Sequence, residues 1–170
     1  MKDYKTERVL IMNCSLDMAK SIILFREELT VRSPIEIPDD WPSDRFITFL
    51  PLLIEGLEKK IKSPFYLWIL ANITDKKMMG DILLYRLKSN HRTAFLEMHF
   101  ISSQYEKTYY KETMKLFLDY VMSHFEQAIS NVNVEILYTD TFKIDILKRL
   151  GFYLKRKEHP YLLWSFSLNK

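Results

Sequence analysis

Apolar and polar positions change period several times along this chain, and each change marks an element. The apolar run at Glu7–Met12 predicts a first strand. Ser15 then offers a side-chain cap, and Asp17 a first-turn negative charge, to a helix in which Met18, Ile22, Phe25 and Leu29 fall at helical spacing. Pro34, Pro38 and Pro42 fragment the stretch that follows. Ser43 or Asp44 opens a second helix through Phe46, Phe49, Leu50, Leu53 and Leu57. Pro51 inside that pattern predicts a kink or two short helices.

From Phe65 the pattern shortens to strands. Residues 65–73, 78–87 and 93–102 read as three neighbouring strands joined by short turns, a meander. Gly80 in the middle one predicts a bulge or a close backbone approach. Residues 102–108 read as a connection into a helix over 109–125, whose apolar face carries Met114, Phe117, Leu118, Val121 and Phe125. A strand at Asn131–Tyr138 follows, then a short helix over 141–150 with Ile144, Leu147 and Leu150 inward. Gly151 ends it in the left-handed conformation that glycine adopts most easily. Strands at 152–156 and 161–168 close the chain. The second half therefore alternates strand, helix, strand, helix, strand, which predicts one α/β domain over residues 1–170 with a mixed, mostly antiparallel sheet and helices on both faces.

Composition narrows the class. The chain has 170 residues, 48% of them apolar, enough for a core without metal or disulfide staples. Net charge is only +3, and the basic runs at Lys59, Lys60, Lys62 and at Lys155, Arg156, Lys157 are short. No stripe of Arg and Lys with interleaved aromatics points to nucleic acid. Charges interrupt the apolar residues of the first 25 positions, so neither a signal peptide nor a membrane span is expected. The single cysteine, Cys14, can form no internal disulfide, which fits a reducing, cytoplasmic setting, and it reads as a buried thiol. His91 is expected in a turn, His124 near a helix end and His159 at the surface. No metal-ligand spacing occurs.

Two features carry candidate chemistry. A strand that feeds a helix presents unpaired amides and the positive end of the helix dipole, an anion site. Here it would use the backbone around Lys107, Thr108, Tyr109, Tyr110 and Lys111, with Glu106 opposing an anion; the plainer alternative is that Thr108 only caps the helix. The preceding strand alternates Phe95, Glu97 and His99 on one face. An amine with a pKa of about 10 must lose a proton before it attacks an acyl group; Glu97 and His99 are both candidates, and Glu97, directly or through water, is the expected acceptor with His99 as the alternative. The plainer alternative is a face left less covered by helices.

TERVLIM before the first helix, DDWP before the second, and LKRLGF with a terminal LLWSF resemble, in that order, the GNAT superfamily of acetyl-CoA-dependent N-acyltransferases. The nearest branch includes the ribosomal-protein alanine N-acetyltransferases. The resemblance covers nearly the whole chain. It implies two central strands that splay apart, acetyl-CoA as co-substrate, and the pantetheine arm beside Phe100, Ile101, Ser102 and Ser103. It sets Tyr105 where the family has Arg or Gln, and Thr108 and Tyr110 where it has small residues, so that Tyr110 would have to point outward. Asp140 falls on the family's Asn, Lys143 on its Ala or Ser, and Leu147 on a Tyr general acid. The acceptor implied is a small-molecule amine or a protein N-terminus, in a pocket between the first-helix region and the final hairpin with Phe25, Trp41 and Trp164 as its lining; the assembly is a monomer or homodimer. The rival reading is a scaffold without activity, in which Tyr105, Tyr109 and Tyr110 cover the old cofactor groove.

Overall fold

The computed structural model describes residues 3–60, 64–87, 90–125 and 128–168. Lys62 of the first basic run, and Lys88 and Ser89 of the expected turn, lie outside them, as does the side chain of Phe125. Among the described residues the chain order is β1 (Tyr4–Lys5), β2 (Val9–Asn13), α1 (Leu16–Leu24), α2 (Arg26–Arg32), α3 (Asp44–Glu58), β3 (Phe65–Asn72), β4 (Lys77–Leu87), β5 (Asn90–Phe100), α4 (Ser103–Phe125), β6 (Asn131–Leu137), α5 (Thr141–Arg149), β7 (Tyr153–Glu158) and β8 (Tyr161–Ser167). The strands hydrogen-bond in the order β1-β2-β3-β4-β5-β6-β8-β7. The sheet is mostly antiparallel, with β5 and β6 parallel. That parallel pairing is short. It joins Thr93–Phe95 to Asn131–Asn133 and ends there, while β6 continues against β8 to Leu137.

The chain divides into two compact units, Met1–Leu83 with Met98–Tyr109, and Leu84–Glu97 with Tyr110–Lys170. In the first, β2 and β3 pair antiparallel and bury Val9, Ile11, Leu67 and Ile69. Ser15 caps α1 by accepting from the Met18 amide, and Ser43 caps α3 by accepting from Phe46. The apolar stripes of these helices bury Ala19, Ile22, Phe46, Leu50 and Leu53. One expectation fails here. The first helix breaks at Phe25, whose φ of −136° is not helical, so Phe25 is exposed rather than part of one long stripe. Of the two outcomes expected at Pro51, a split into two short helices does not occur: α3 is one helix with Pro51 inside it. The carbonyl that Pro51 leaves without a donor belongs to Ile47, on the exposed side of the helix.

In the second unit, β6, β7 and β8 form an antiparallel set, and the buried faces of β6 and α5 contribute Val132, Val134, Ile136, Ile144 and Leu147. The α4 stripe buries Met114, Phe117, Leu118 and Val121. Asp140 caps α5 by accepting from the Lys143 amide at 3.0 Å, and Gly151 ends it with φ +91°, as glycine after a helix should. His91 lies in β5 rather than in a turn, because that strand starts at Asn90.

Candidate active site

Asp81 is the least expected residue of β4. It lies in the apolar run MMGDILLY and its side chain is only 5% exposed. Burying an unpaired carboxylate is costly, so it must be satisfied. Ser43 satisfies it twice: its amide donates to Oδ2 at 2.9 Å and its hydroxyl to Oδ1 at 2.8 Å. The residue that caps α3 thus also ties the loop before α3 to the middle of β4. Trp41, two positions earlier and buried, adds a third tie by donating from its ring nitrogen to the Gly80 carbonyl at 3.0 Å.

His99 stands beside this carboxylate, its Nδ1 3.6 Å from Asp81 Oδ2 and its side chain half-exposed. The imidazole pKa lies above its ordinary 6.5, because the Asp81 carboxylate stabilises the charged ring more than partial burial opposes it; Glu106 and Asp40 push the same way. Nδ1 faces the carboxylate, which turns Nε2 away from it. A buried acid, an imidazole held by it and an outward-facing ring nitrogen form the usual layout of a proton acceptor. Gly80 makes the layout possible. A Cβ there would come within 2.0 Å of the His99 carbonyl oxygen, so only glycine lets β4 approach β5 this closely.

The start of α4 differs from its expected place. Ser102 caps it, accepting the Tyr105 amide on its hydroxyl at 3.2 Å and the Glu106 amide on its carbonyl at 3.0 Å. The helix therefore begins at Ser103, six residues before the expected start at Tyr109. Helical bonding engages the amides of Lys107–Lys111, and the Thr108 hydroxyl donates back to the Gln104 carbonyl at 2.8 Å instead of capping. Among the described residues, the amides without a partner at this helix start are those of the capping Ser102 and of Ser103 and Gln104. The cause is local. Residues 103–107, SQYEK, contain no glycine and several good helix formers.

Tyrosines fix these first turns. The Tyr105 hydroxyl donates to Asp75 at 3.4 Å, and Asn72 Nδ2 donates to Asp75 at 3.0 Å and to the Tyr109 hydroxyl at 2.8 Å. The Arg8 guanidinium lies 5.2 Å from the centre of the Tyr109 ring. Burial, then Asp75, holds the Tyr105 phenol above its usual pKa.

The remaining candidates take the following places. Glu97 is half-buried on the same strand face as His99. Phe100 is buried, Ile101 half-buried, and the Ile101 amide donates to Met79. Ser102, Lys107, Thr108 and Lys111 are exposed. Tyr110 does not point outward: it is 2% exposed, its ring 6.4 Å from Phe142 and 5.6 Å from the Lys143 ammonium. Asp140 is engaged by the α5 cap and by the Lys143 ammonium at 3.3 Å. Cys14 is buried, its thiol pushed up to about 12, so it is no nucleophile. Among the described residues no group of acids, histidines and cysteine is arranged to hold a metal, and no helix is long and apolar enough to cross a membrane.

A cavity of about 430 Å³ opens in the first unit. Ile22, Ile23 and Ile47 give it an apolar wall, Trp41 closes one side, and Asp39, Asp40 and Asp44 supply acid. Arg26 also lines it, with one guanidinium nitrogen on the carbonyls of Pro38 and Trp41. Phe25 and Trp164, expected in the acceptor lining, are not among the residues that form this cavity. Sequence reasoning missed Asp81. Its signal was a lone acid at the centre of an apolar strand, directly after a glycine.

No family profile matches the sequence, and no curated protein matches it. Solved structures do. The ribosomal-protein-S5-alanine acetyltransferase of Vibrio fischeri superposes with a TM-score of 0.66 at 13% identity, over 99% of this chain and 98% of that one. The spermidine N-acetyltransferase of Vibrio cholerae, a dodecamer, gives 0.65 at 10% identity over 96% and 95%. A ribosomal-protein α-N-acetyltransferase solved in complex with coenzyme A gives 0.64 at 7% identity over 98% of each chain. At these identities the likeness establishes the fold, which is that of the GNAT acetyltransferases.

Proposed function

We propose that residues 1–170 act as one cytoplasmic N-acetyltransferase domain that moves the acetyl group of acetyl-CoA to a primary amine, with His99 as the base. The observation that carries this reading is the buried Asp81 carboxylate, fixed by Ser43 and set against Nδ1 of His99. The amine nitrogen attacks the thioester carbonyl carbon and its proton passes to His99 Nε2. The tetrahedral intermediate then collapses, the C–S bond breaks, and coenzyme A leaves as a thiol or thiolate. A strand amide would steady the oxyanion. Glu97, two positions earlier on the same face, is the second candidate base.

Coenzyme A would lie with its pantetheine arm along Phe100, Ile101 and Ser102, at the end of β5. The pyrophosphate would meet the amides of Ser103 and Gln104, with Lys107 one turn further on. Lys111, Thr108, Tyr109, Tyr110 and Asp140 then contribute through the helix ends they stabilise rather than by direct grip. The coenzyme A complex of a protein with this fold supports that cofactor. The acid-lined cavity suits an acceptor with a cationic amine and an apolar portion, a small molecule or the amino end of a protein. Asp40 lines that cavity and also raises the His99 pKa, which supports reading cavity and base as one site. The domain would work as a monomer or homodimer.

The test is thiol release from acetyl-CoA in the presence of polyamines and of short peptides with free amino ends. His99→Gln is expected to lower kcat by about 100-fold or more. An unchanged rate in that variant would remove His99 from the mechanism.

A second reading has its own support. Helical bonding occupies the amides of Lys107–Lys111, and Tyr105 and Tyr109 are tied to the β3–β4 turn. A binding module that no longer takes coenzyme A would show the same features, and it would release no thiol with any amine.

A further inference from the structure

We propose that the second unit carries a ligand site of its own, for a small carboxylate that bears an amide and an apolar side group, seated on the sheet face around Asn133. A cavity of about 320 Å³ opens there, lined by Thr93 and Phe95 of β5, Asn133 of β6, Lys155 and Arg156 of β7, and Leu163 of β8. The site requires neither acetyl-CoA nor His99, so it stands independently of the transferase reading.

Strand register explains why these side chains meet. Phe95 pairs with Asn133, Asn133 with Ser165, and Leu163 with Arg156. Paired residues on neighbouring strands project from the same face, so Phe95, Asn133 and Ser165 form one row across the sheet. The two cations come from an irregularity. Leu154 pairs with Trp164 and Arg156 with Leu163, which leaves Lys155 as an extra residue. A bulge of this kind re-aims side chains, and here it sends adjacent cations to one cavity.

The second observation concerns unpaired polar atoms. Asn133 is 1% exposed, yet its Oδ1 has no hydrogen-bond partner among the described residues. The hydroxyl of Ser165, next in the row and 0% exposed, has none either. Ser165, the neighbour of Asn133 in the row, is not among the lining residues. A buried polar atom left unmatched loses its hydration with nothing in return, so the Asn133 oxygen, on a residue that lines the cavity, calls for a cause. A ligand amide supplies it. A primary amide presents both a donor and an acceptor, and either orientation of Asn133 finds its match in a second amide. Lys155 and Arg156 suit a carboxylate at the mouth; Arg156 also pairs with Glu158 at 2.9 Å. Phe95 and Leu163 accept an aliphatic group. The free N-acyl amino acid and the carboxyl end of a peptide share this chemistry.

Calorimetry on the full chain tests the site with N-acetyl-L-leucine, its methyl ester, inorganic phosphate and an N-acetylated tripeptide ending in leucine. The acid should bind saturably and the ester at least about tenfold more weakly, since it lacks the charge. Phosphate should not compete at equal concentration. Asn133→Leu should abolish binding while leaving the thermal midpoint unchanged or higher, because it removes a buried unpaired amide. Lys155→Gln, at an exposed position, should weaken the acid without altering stability, and it keeps the test decisive should the Asn133 variant fail to fold. Tripeptide binding as tight as that of the acid assigns the site to a chain end; binding of the acid alone assigns it to a free metabolite. No saturable binding to folded protein, binding that survives both substitutions, or equal competition by phosphate would overturn the proposal.

Discussion

Asp81 sits where β-strand sequence alone would place a valine, and the energetic logic of the site follows from its partners. Replacing it with alanine would strand the Ser43 amide and hydroxyl and should cost about 1–3 kcal/mol in denaturant unfolding. Asp81→Asn keeps the shape but removes the charge that raises the His99 pKa. The sign follows from that shift. Because the folded imidazole pKa is above its unfolded value, the pair's stabilisation is fully present below about pH 6.5 and disappears as pH rises through the folded pKa. Wild type should therefore lose stability across that window relative to Asp81→Asn. The same shift sets the activity profile: thiol release should rise with pH through a midpoint above the ordinary imidazole value, and Asp81→Asn should move that midpoint down. Gly80→Ala forces a Cβ to 2.0 Å from backbone, so β4 and β5 must separate, at a cost of roughly 3 kcal/mol or outright misfolding. Here the sequence was half legible. Glycine in a strand announced a close approach, and the alternation along β5 offered Glu97 and His99 together as candidate bases, with Glu97 ahead. The acid behind it was hidden, because pairing across strands and a loop far away in sequence is invisible to local pattern.

At the scale of elements, local signals were read correctly where one side chain decides them. Ser15, Ser43 and Gly151 mark helix ends by chemistry intrinsic to those residues. The misread ends are those where competing signals overlap. The start of α4 was set by expecting a loop over 102–108, whereas Ser102 caps and SQYEK continues the helix. Beside the break at Phe25, Arg26 donates to the carbonyls of Pro38 and Trp41, a contact distant in sequence that local pattern does not show. The α4 start also depends on distant partners. Tyr109→Phe would leave the fully buried Asn72 amide without one acceptor, so it should destabilise the fold by about 1–2 kcal/mol. Amide exchange should then quicken over residues 103–109 more than over the rest of α4. Uniform protection along the helix would show that the network with Asn72 and Asp75 does not hold it.

For the whole molecule, the alternation of strands and helices was enough to give the sheet class, and the order of TERVLIM, DDWP and LKRLGF pointed to the right fold when no curated sequence matches. The division into two compact units was not legible. Its boundaries run inside β4, β5 and α4, with no linker composition to betray them. Nor could sequence alone show where an anion would sit, because that depends on which amides the chain keeps for itself. The central claim is that the Ser103 and Gln104 amides, not those of Lys107–Lys111, hold the diphosphate of coenzyme A. A nitrogen–proton NMR titration of the full chain with coenzyme A tests it directly. The largest amide shifts should fall on Ser103 and Gln104, with a Kd below about 1 mM. Folded protein whose spectrum stays unchanged at millimolar coenzyme A, or whose shifts gather elsewhere, would contradict it.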